Sequence, residues 1–399
     1  MTTYEEYKNF KEEYINKANK SWDDKYINFI LSNQLFDWDL LSQNKNITMD
    51  MVKSHPTLPW VWDGLSRNPN LTLDIVVNGA HSDKEWDWYY ISSNSNIKMD
   101  MVMGNPTLPW DLMGLSRNPN LTMEVVRLYK NWDWGLLSEN PNITYDIVLS
   151  NIDEDWDWVM LGKNKNITLD MILNRKKSSL NESTGRPYLD KHLDFYNFSK
   201  NPNLKFDNVL YEYTHISYPY RSWNWNSLSK HPNITLDMVL THKNLPWSFS
   251  SLSANPNITM DMVLNHQDIN WDWEFLSVNP NMTIYMVKSH PNQHWDWNVL
   301  SSHPNITLDM ILDNPKLYWY GGGVSSNPNI TMDMVLAHPT KLWDVEALSA
   351  NDMKKGKDKY INDKVNELIL IDEFKLINKK TNIFPKVIEN ICIKYIGTS

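Results

Sequence analysis

Seven of the eleven histidines recur in just two registers, so a row of metal-binding imidazoles is the first chemistry to test. His55, His242, His266, His290 and His338 share one register, and His231 and His303 share the other. Asn fills the same registers elsewhere; a metal ligand is selected for its nitrogen, whereas exchange with Asn fits turn and capping geometry. A second series, Asp50, Asp74, Asp100, Glu124, Asp146, Asp170, Asp207, Asp237, Asp261, Asp309 and Asp333, resembles a cation array in its regularity. Each of these lies two residues after a helix-starting Thr or Lys, where a carboxylate complements the helix dipole. Paired Trp residues offer a third chemistry, the stacking of nucleobases. Their neighbours Asp87, Asp133, Asp157, Asp272 and Asp296 repel phosphate, and the chain's net charge of −10 argues against nucleic acid as a partner. No nucleophile elbow, phosphate loop, His-Glu-x-x-His or calcium loop is present. The expectation is a non-enzymatic protein with no catalytic residue, no cofactor and no metal.

All these residues belong to one recurring unit, Trp-x-Trp-x-x-Leu-Ser-x-Asn-Pro-Asn-Ile-Thr-x-Asp-Met-Val-Leu. Twelve copies are anchored at Thr48, Thr72, Lys98, Thr122, Thr144, Thr168, Lys205, Thr235, Thr259, Thr283, Thr307 and Thr331, mostly 24 residues apart. Two insertions, near 174–192 and 211–222, flank the seventh copy. Each unit reads as two short helices. One starts at the Thr, whose hydroxyl caps a first-turn amide, and ends about seven residues later at Asn or His, often before Pro. The other runs from the first Trp to the Ser-x-Asn. Within it the second Trp shares a face with the Leu three residues on, while the first Trp points elsewhere, to a neighbouring repeat or a surface. The Asn two residues before each anchor is present in all twelve copies and suggests a side-chain ladder between adjacent turns.

These periods predict an all-α fold, an α-solenoid of about twelve helix-turn-helix repeats over 36–351. Capping helices are expected at residues 1–35, and a helical cap or tail at 352–399. The N-terminal segment reads as a charged helix over 3–20 followed by a degenerate Thr-type helix at Ile27–Asn33. At roughly 10 Å per unit the array would be an extended body on the order of 100 Å long. A single cysteine, Cys392, rules out an internal disulfide framework and suits a reducing compartment such as the cytoplasm. No window is apolar enough for a membrane span. Residues 351–399 carry ten Lys against seven acidic residues, whereas the first 350 residues carry −13.

The repeat unit resembles the tandem-repeat proteins of giant DNA viruses of the mimivirus type, over roughly residues 36–351, and the abundant Asn, Ile and Lys match their AT-rich genomes. The resemblance implies a viral protein in host cytoplasm, viral factory or virion, and brings no established activity. Positions that vary between copies are expected to bind a protein partner, among them Tyr89, Glu274 and Asn298 within the Trp-led helices. The insertion residues Tyr211, Tyr213, Tyr218, Tyr220 and Arg221 form a second candidate surface, because Tyr and Arg are favoured interface anchors. The tail around Phe384, Pro385, Ile388, Ile391 and Tyr395 resembles the F-box-type segment that ends some viral repeat proteins. That resemblance implies recruitment of a ubiquitin ligase. Self-assembly into a virion or factory component is the other alternative.

Overall fold

The Thr-Met-Asp and Trp-Asp-Trp starts both produce helices, and the chain is an all-α solenoid of stacked two-helix repeats. The computed structural model describes residues 4–33, 36–78, 83–172, 194–215, 223–339 and 343–381. Among the described residues thirteen Trp-type helices, from Trp38–Gln43 to Val345–Ala350, alternate with Thr-type helices such as Met49–Ser54 and Met332–Ala337. Most are only six residues long. Helices this short do not hold in water by themselves, so their stability comes from caps and from contacts between repeats.

The caps follow directly from the motif. The hydroxyls of Thr48, Thr144, Thr235, Thr259, Thr283, Thr307 and Thr331 accept from the amide three residues on. Thr72, Thr122 and Lys98 start helices without such a bond. His55, His242, His266, His290 and His338 are the C-caps of Thr helices, which is a turn role. The Trp helix, however, starts two residues later than the motif suggests, at the second Trp. The Asp between the two indoles is its N-cap, as at Asp87, Asp133, Asp157, Asp272 and Asp296.

The first Trp packs on a neighbouring repeat, one of its two expected places, but it is buried more deeply than the second: Trp60, Trp156, Trp223 and Trp295 are each 6% exposed. Its Nε1 donates to the carbonyl that ends the preceding Thr helix, as in Trp60 to His55 at 2.9 Å and Trp271 to His266 at 2.9 Å. Its ring packs edge-on against the second Trp of the preceding repeat. Centroids lie 5.3 Å apart for Trp38 and Trp60, 5.0 Å for Trp134 and Trp156, and 5.1 Å for Trp273 and Trp295. The result is a zigzag of half-buried and buried indoles joining repeat to repeat.

Three polar ladders run beside it. The Asn that opens Asn-Pro-Asn donates to two carbonyls of the repeat before, as in Asn68 to Ser42 O at 2.7 Å and to Asn44 O at 3.0 Å. The second Asn makes its own rung, as expected, for example Asn70 to Ile47 O at 2.9 Å. The motif Ser accepts from the backbone N–H that starts the next Trp helix, as in Asp296 N to Ser277 Oγ at 2.9 Å. Buried polar groups are tolerable only when paired, and here the pairing itself links one unit to the next.

His231 and His303 occupy the Asn rung. His303 Nε2 faces Asn279 O at 3.1 Å and its Nδ1 accepts from Asn305 N at 3.1 Å, so the neutral Nε2–H tautomer is the one that satisfies both partners. Burial pushes this imidazole below its ordinary 6.5. Below about 6.5 the unfolded chain therefore takes up a proton that the folded chain resists, and stability present above that pH is lost toward acid. Replacing His303 with Asn will flatten that part of the pH profile, checked by urea denaturation at neutral pH and near pH ~5. An unchanged acid slope in H303N would show that the rung does not titrate.

The array is not the extended rod expected from its repeat count, because its ends meet. Asp37 N donates to Ser349 Oγ at 2.8 Å, and Asn44 donates to Ser349 O at 2.9 Å and to Asn351 O at 3.0 Å. Asn46 donates to Asp352 O at 2.7 Å, and Lys45 pairs with Asp352. These are the same rungs that join consecutive repeats, so the first repeat treats the last half-repeat as its predecessor and the solenoid closes into a ring.

The outer side of this seam is filled by two long helices from the chain ends, Tyr4–Ser32 and Lys354–Thr381. The first is one continuous helix, where two were expected. Tyr14 donates to Asp372 at 2.5 Å, Ser21 and Tyr360 hydroxyls lie 2.7 Å apart, and Trp22 packs on Tyr360. Lys25 reaches Asp333 of the twelfth Thr helix at 3.0 Å. Desolvation in the seam pushes the Asp23 carboxyl up to about 6 and the Lys357 ammonium down.

Candidate interaction surface

Once the recurring residues have structural tasks, the three variable positions of Trp-x-x-Leu-Ser-x-Asn remain. A helix turns about 100° per residue, so the second Trp, the Leu and the Ser cluster on the face toward the Thr helices. The first and third variable positions fall on the opposite face, while the second is turned toward the preceding Trp helix and is buried at Gly64, Gly114, Ser227, Ser251 and Gly323. The Trp helices pack closely on one another around the array, whereas the Thr helices are farther apart. In a closed ring the more tightly spaced layer is the inner one, so the variable face looks toward the ring's axis. Glu274 and Val278 of one repeat and Asn298 of the next are exposed there. Each of these side chains leaves the scaffold bonds intact.

Spacing along this inner layer is uneven, and small residues set it. Gly114 and Gly323 occupy the second variable position. An added Cβ would lie 2.3 Å from Tyr89 O in the first case and 2.5 Å from Asn298 O in the second. The steps into these two helices are among the closest in the ring.

Tyr89, Glu274 and Asn298, predicted as contact residues, lie on this inner face. Glu274 and Asn298 are exposed on neighbouring repeats; Tyr89 is half-buried and packs at 5.0 Å on Tyr90. Tyr211 and Tyr213 are exposed on the longer Thr-type helix Phe206–His215, with Tyr213 against Trp225 at 5.7 Å. They belong to the outer layer and do not join the inner residues. Tyr218, Tyr220 and Arg221 lie outside the described residues, as do Phe384, Pro385, Ile388, Ile391 and Tyr395.

The third variable position, the x of Ser-x-Asn, was not singled out as a contact position, although its signal was in the motif. It carries Arg67, Arg117, Glu139, Lys163, Lys200 and Lys230 in six of the first eight repeats, with Gln43 and Ser93 in the other two. Lys163 reaches Glu139 one repeat back at 2.8 Å, so neighbouring members of this row are within contact of each other. Arg67 pairs with Asp63 at 2.7 Å and lies over the Tyr90 ring at 4.2 Å.

Among the described residues no group of three or more His, Cys, Asp or Glu side chains is placed to hold a metal ion. No described helix is long and apolar enough to cross a membrane. The chain matches no known family model, no curated protein and no solved structure at a significant level.

Proposed function

We propose that the ring is a non-enzymatic scaffold of giant-virus type that holds a protein partner on its inner face. The observation that carries this reading is the convergence of the first and third variable motif positions on that face, while the recurring residues are committed to caps and ladders. Thirteen helices spaced roughly 8–10 Å apart enclose an opening about 22–30 Å across after the helices' own radius is subtracted. An opening of that size admits a polypeptide segment or a single helix.

The test is affinity capture from host or infected-cell lysate with mass spectrometry, using the full chain, a Tyr89→Ala/Glu274→Lys/Asn298→Ala variant and a 1–381 truncation. All three are first matched by circular dichroism. Loss of the partner with the inner-face variant alone supports recognition by the ring. Loss of a cullin-adaptor protein with the truncation alone moves the function to the F-box-like tail and a role as a ligase substrate adaptor. Particle mass that grows with concentration in light scattering, with no captured partner, favours a self-assembling structural component.

A further inference from the structure

The inner face is electrically polarised. In repeats four to eight the x of Ser-x-Asn is Arg117, Glu139, Lys163, Lys200 and Lys230, whereas in repeats nine to thirteen it is Ala254, Val278, Ser302, Ser326 and Ala350. Glu139 is taken by Lys163. Among the described residues no carboxylate pairs with Arg117, Lys200 or Lys230. A chain with net charge −10 thus gathers spare cations on one arc of one face. Large apolar side chains stand beside them: Met113 is 52% exposed in the helix of Arg117, and Tyr196 is 49% exposed in the helix just before Lys200.

We infer that this arc binds an acidic peptide segment carrying interspersed apolar residues, the carboxylates meeting Arg117, Lys200 and Lys230 and the apolar side chains meeting Met113 and Tyr196. The inference deepens the partner reading above and rests on it. Charge complementarity selects an anionic occupant. Two features favour a peptide over single-stranded nucleic acid. Lys200 sits over one face of the Tyr196 ring at 5.0 Å, which takes the flat face a base would stack on and leaves the rest of this 49% exposed side chain to apolar contact. Three spare cations also match a short acidic segment, whereas a polyanion would meet the repulsion of the whole negatively charged body.

The experiment is fluorescence anisotropy on the full chain with three labelled probes: a short peptide of alternating Glu and Leu, its Lys-for-Glu counterpart, and oligothymidylate. The Glu-Leu peptide should bind, weaken as salt rises, and bind roughly tenfold or more weakly to Arg117→Gln/Lys200→Gln/Lys230→Gln. Ala350→Gln, on the far arc, should leave its affinity unchanged. Equal binding of the Lys peptide, equal binding to the triple variant, or tighter binding of oligothymidylate that the triple variant abolishes would each overturn the inference. Should the triple variant fail to fold, salt-independent binding of the Glu-Leu peptide to the native chain overturns it equally. These failures leave the wider reading standing if lysate capture still depends on Tyr89, Glu274 and Asn298. If capture does not depend on them, the inner face itself is the wrong surface.

Discussion

Deletion of residues 1–33 will open the ring, increasing its radius of gyration in small-angle scattering and lowering its melting temperature by about 10 °C or more. The helix Tyr4–Ser32 places Trp22 at 2%, Tyr26 at 0%, Ile27 at 4%, Phe29 at 4% and Ile30 at 3% exposure in the main core. Each such side chain contributes about 1.5–3 kcal/mol through burial, so the seam loses on the order of 10 kcal/mol of gross apolar stabilisation. The rungs from Asp37 and Asn44 to Ser349 would remain with no outer layer above them. Unfolding should also become broader, because an open stack of nearest-neighbour units frays from its ends. Trp22→Ala alone is expected to cost about 3–5 kcal/mol in urea denaturation. An unchanged radius and melting temperature in the deletion would show that the ring closes without this helix.

The second large effect concerns one rung of the ladder. Asn118 is 0% exposed; its Nδ2 lies 2.8 Å from Ser92 O, 3.0 Å from Asn94 O and 3.1 Å from Ile97 O. Its Oδ1 accepts from Asn120 N at 2.8 Å. Asn118→Leu preserves the shape and strands these backbone groups without partners, at about 1–3 kcal/mol for each group water does not reach. The expected loss is on the order of 3–6 kcal/mol. Asn118→His should recover much of it, because His231 makes the same rung with Nε2 2.9 Å from Asn201 O and Nδ1 3.1 Å from Asn233 N. Urea denaturation of the two variants decides the matter. Equal stability of the Leu and His forms would mean that shape, and not hydrogen bonding, is what the position requires.

Much of the local structure was legible before any coordinates. The Thr start with its following Asp, the His and Asn helix ends and the second-Asn ladder each follow from what one side chain does to the backbone beside it. The work of the two indoles was legible only in part. The first Trp precedes its helix, so a helical wheel drawn through it gives its place against a neighbouring repeat but not its deep burial, nor its bond to the carbonyl that ends the preceding Thr helix. The Asp beside it was read as a charge that repels phosphate, whereas its measurable task is to cap an amide three residues on, as Asp133 does for Leu136 at 2.9 Å. The candidate surface was legible in part: Glu274 and Asn298 stood out as variable, while the x of Ser-x-Asn was hidden between two residues that hardly change.

Closure was illegible for a different reason. It depends on a rotation summed over every step, and each step responds to details such as Gly114 lying under Tyr89 O. No single motif records that sum.

A tandem array with free ends can grow or shrink by whole units and remain the same kind of object. Here thirteen Trp helices share one full circle, so each step turns by about 28° on average, and a fourteenth would require about 26° from all of them at once. Copy number is therefore a conformational constant of this molecule, in the way that blade number is for a propeller. A duplication or loss of one 24-residue unit, silent at the level of any individual contact, becomes a change that every interface in the circle must share.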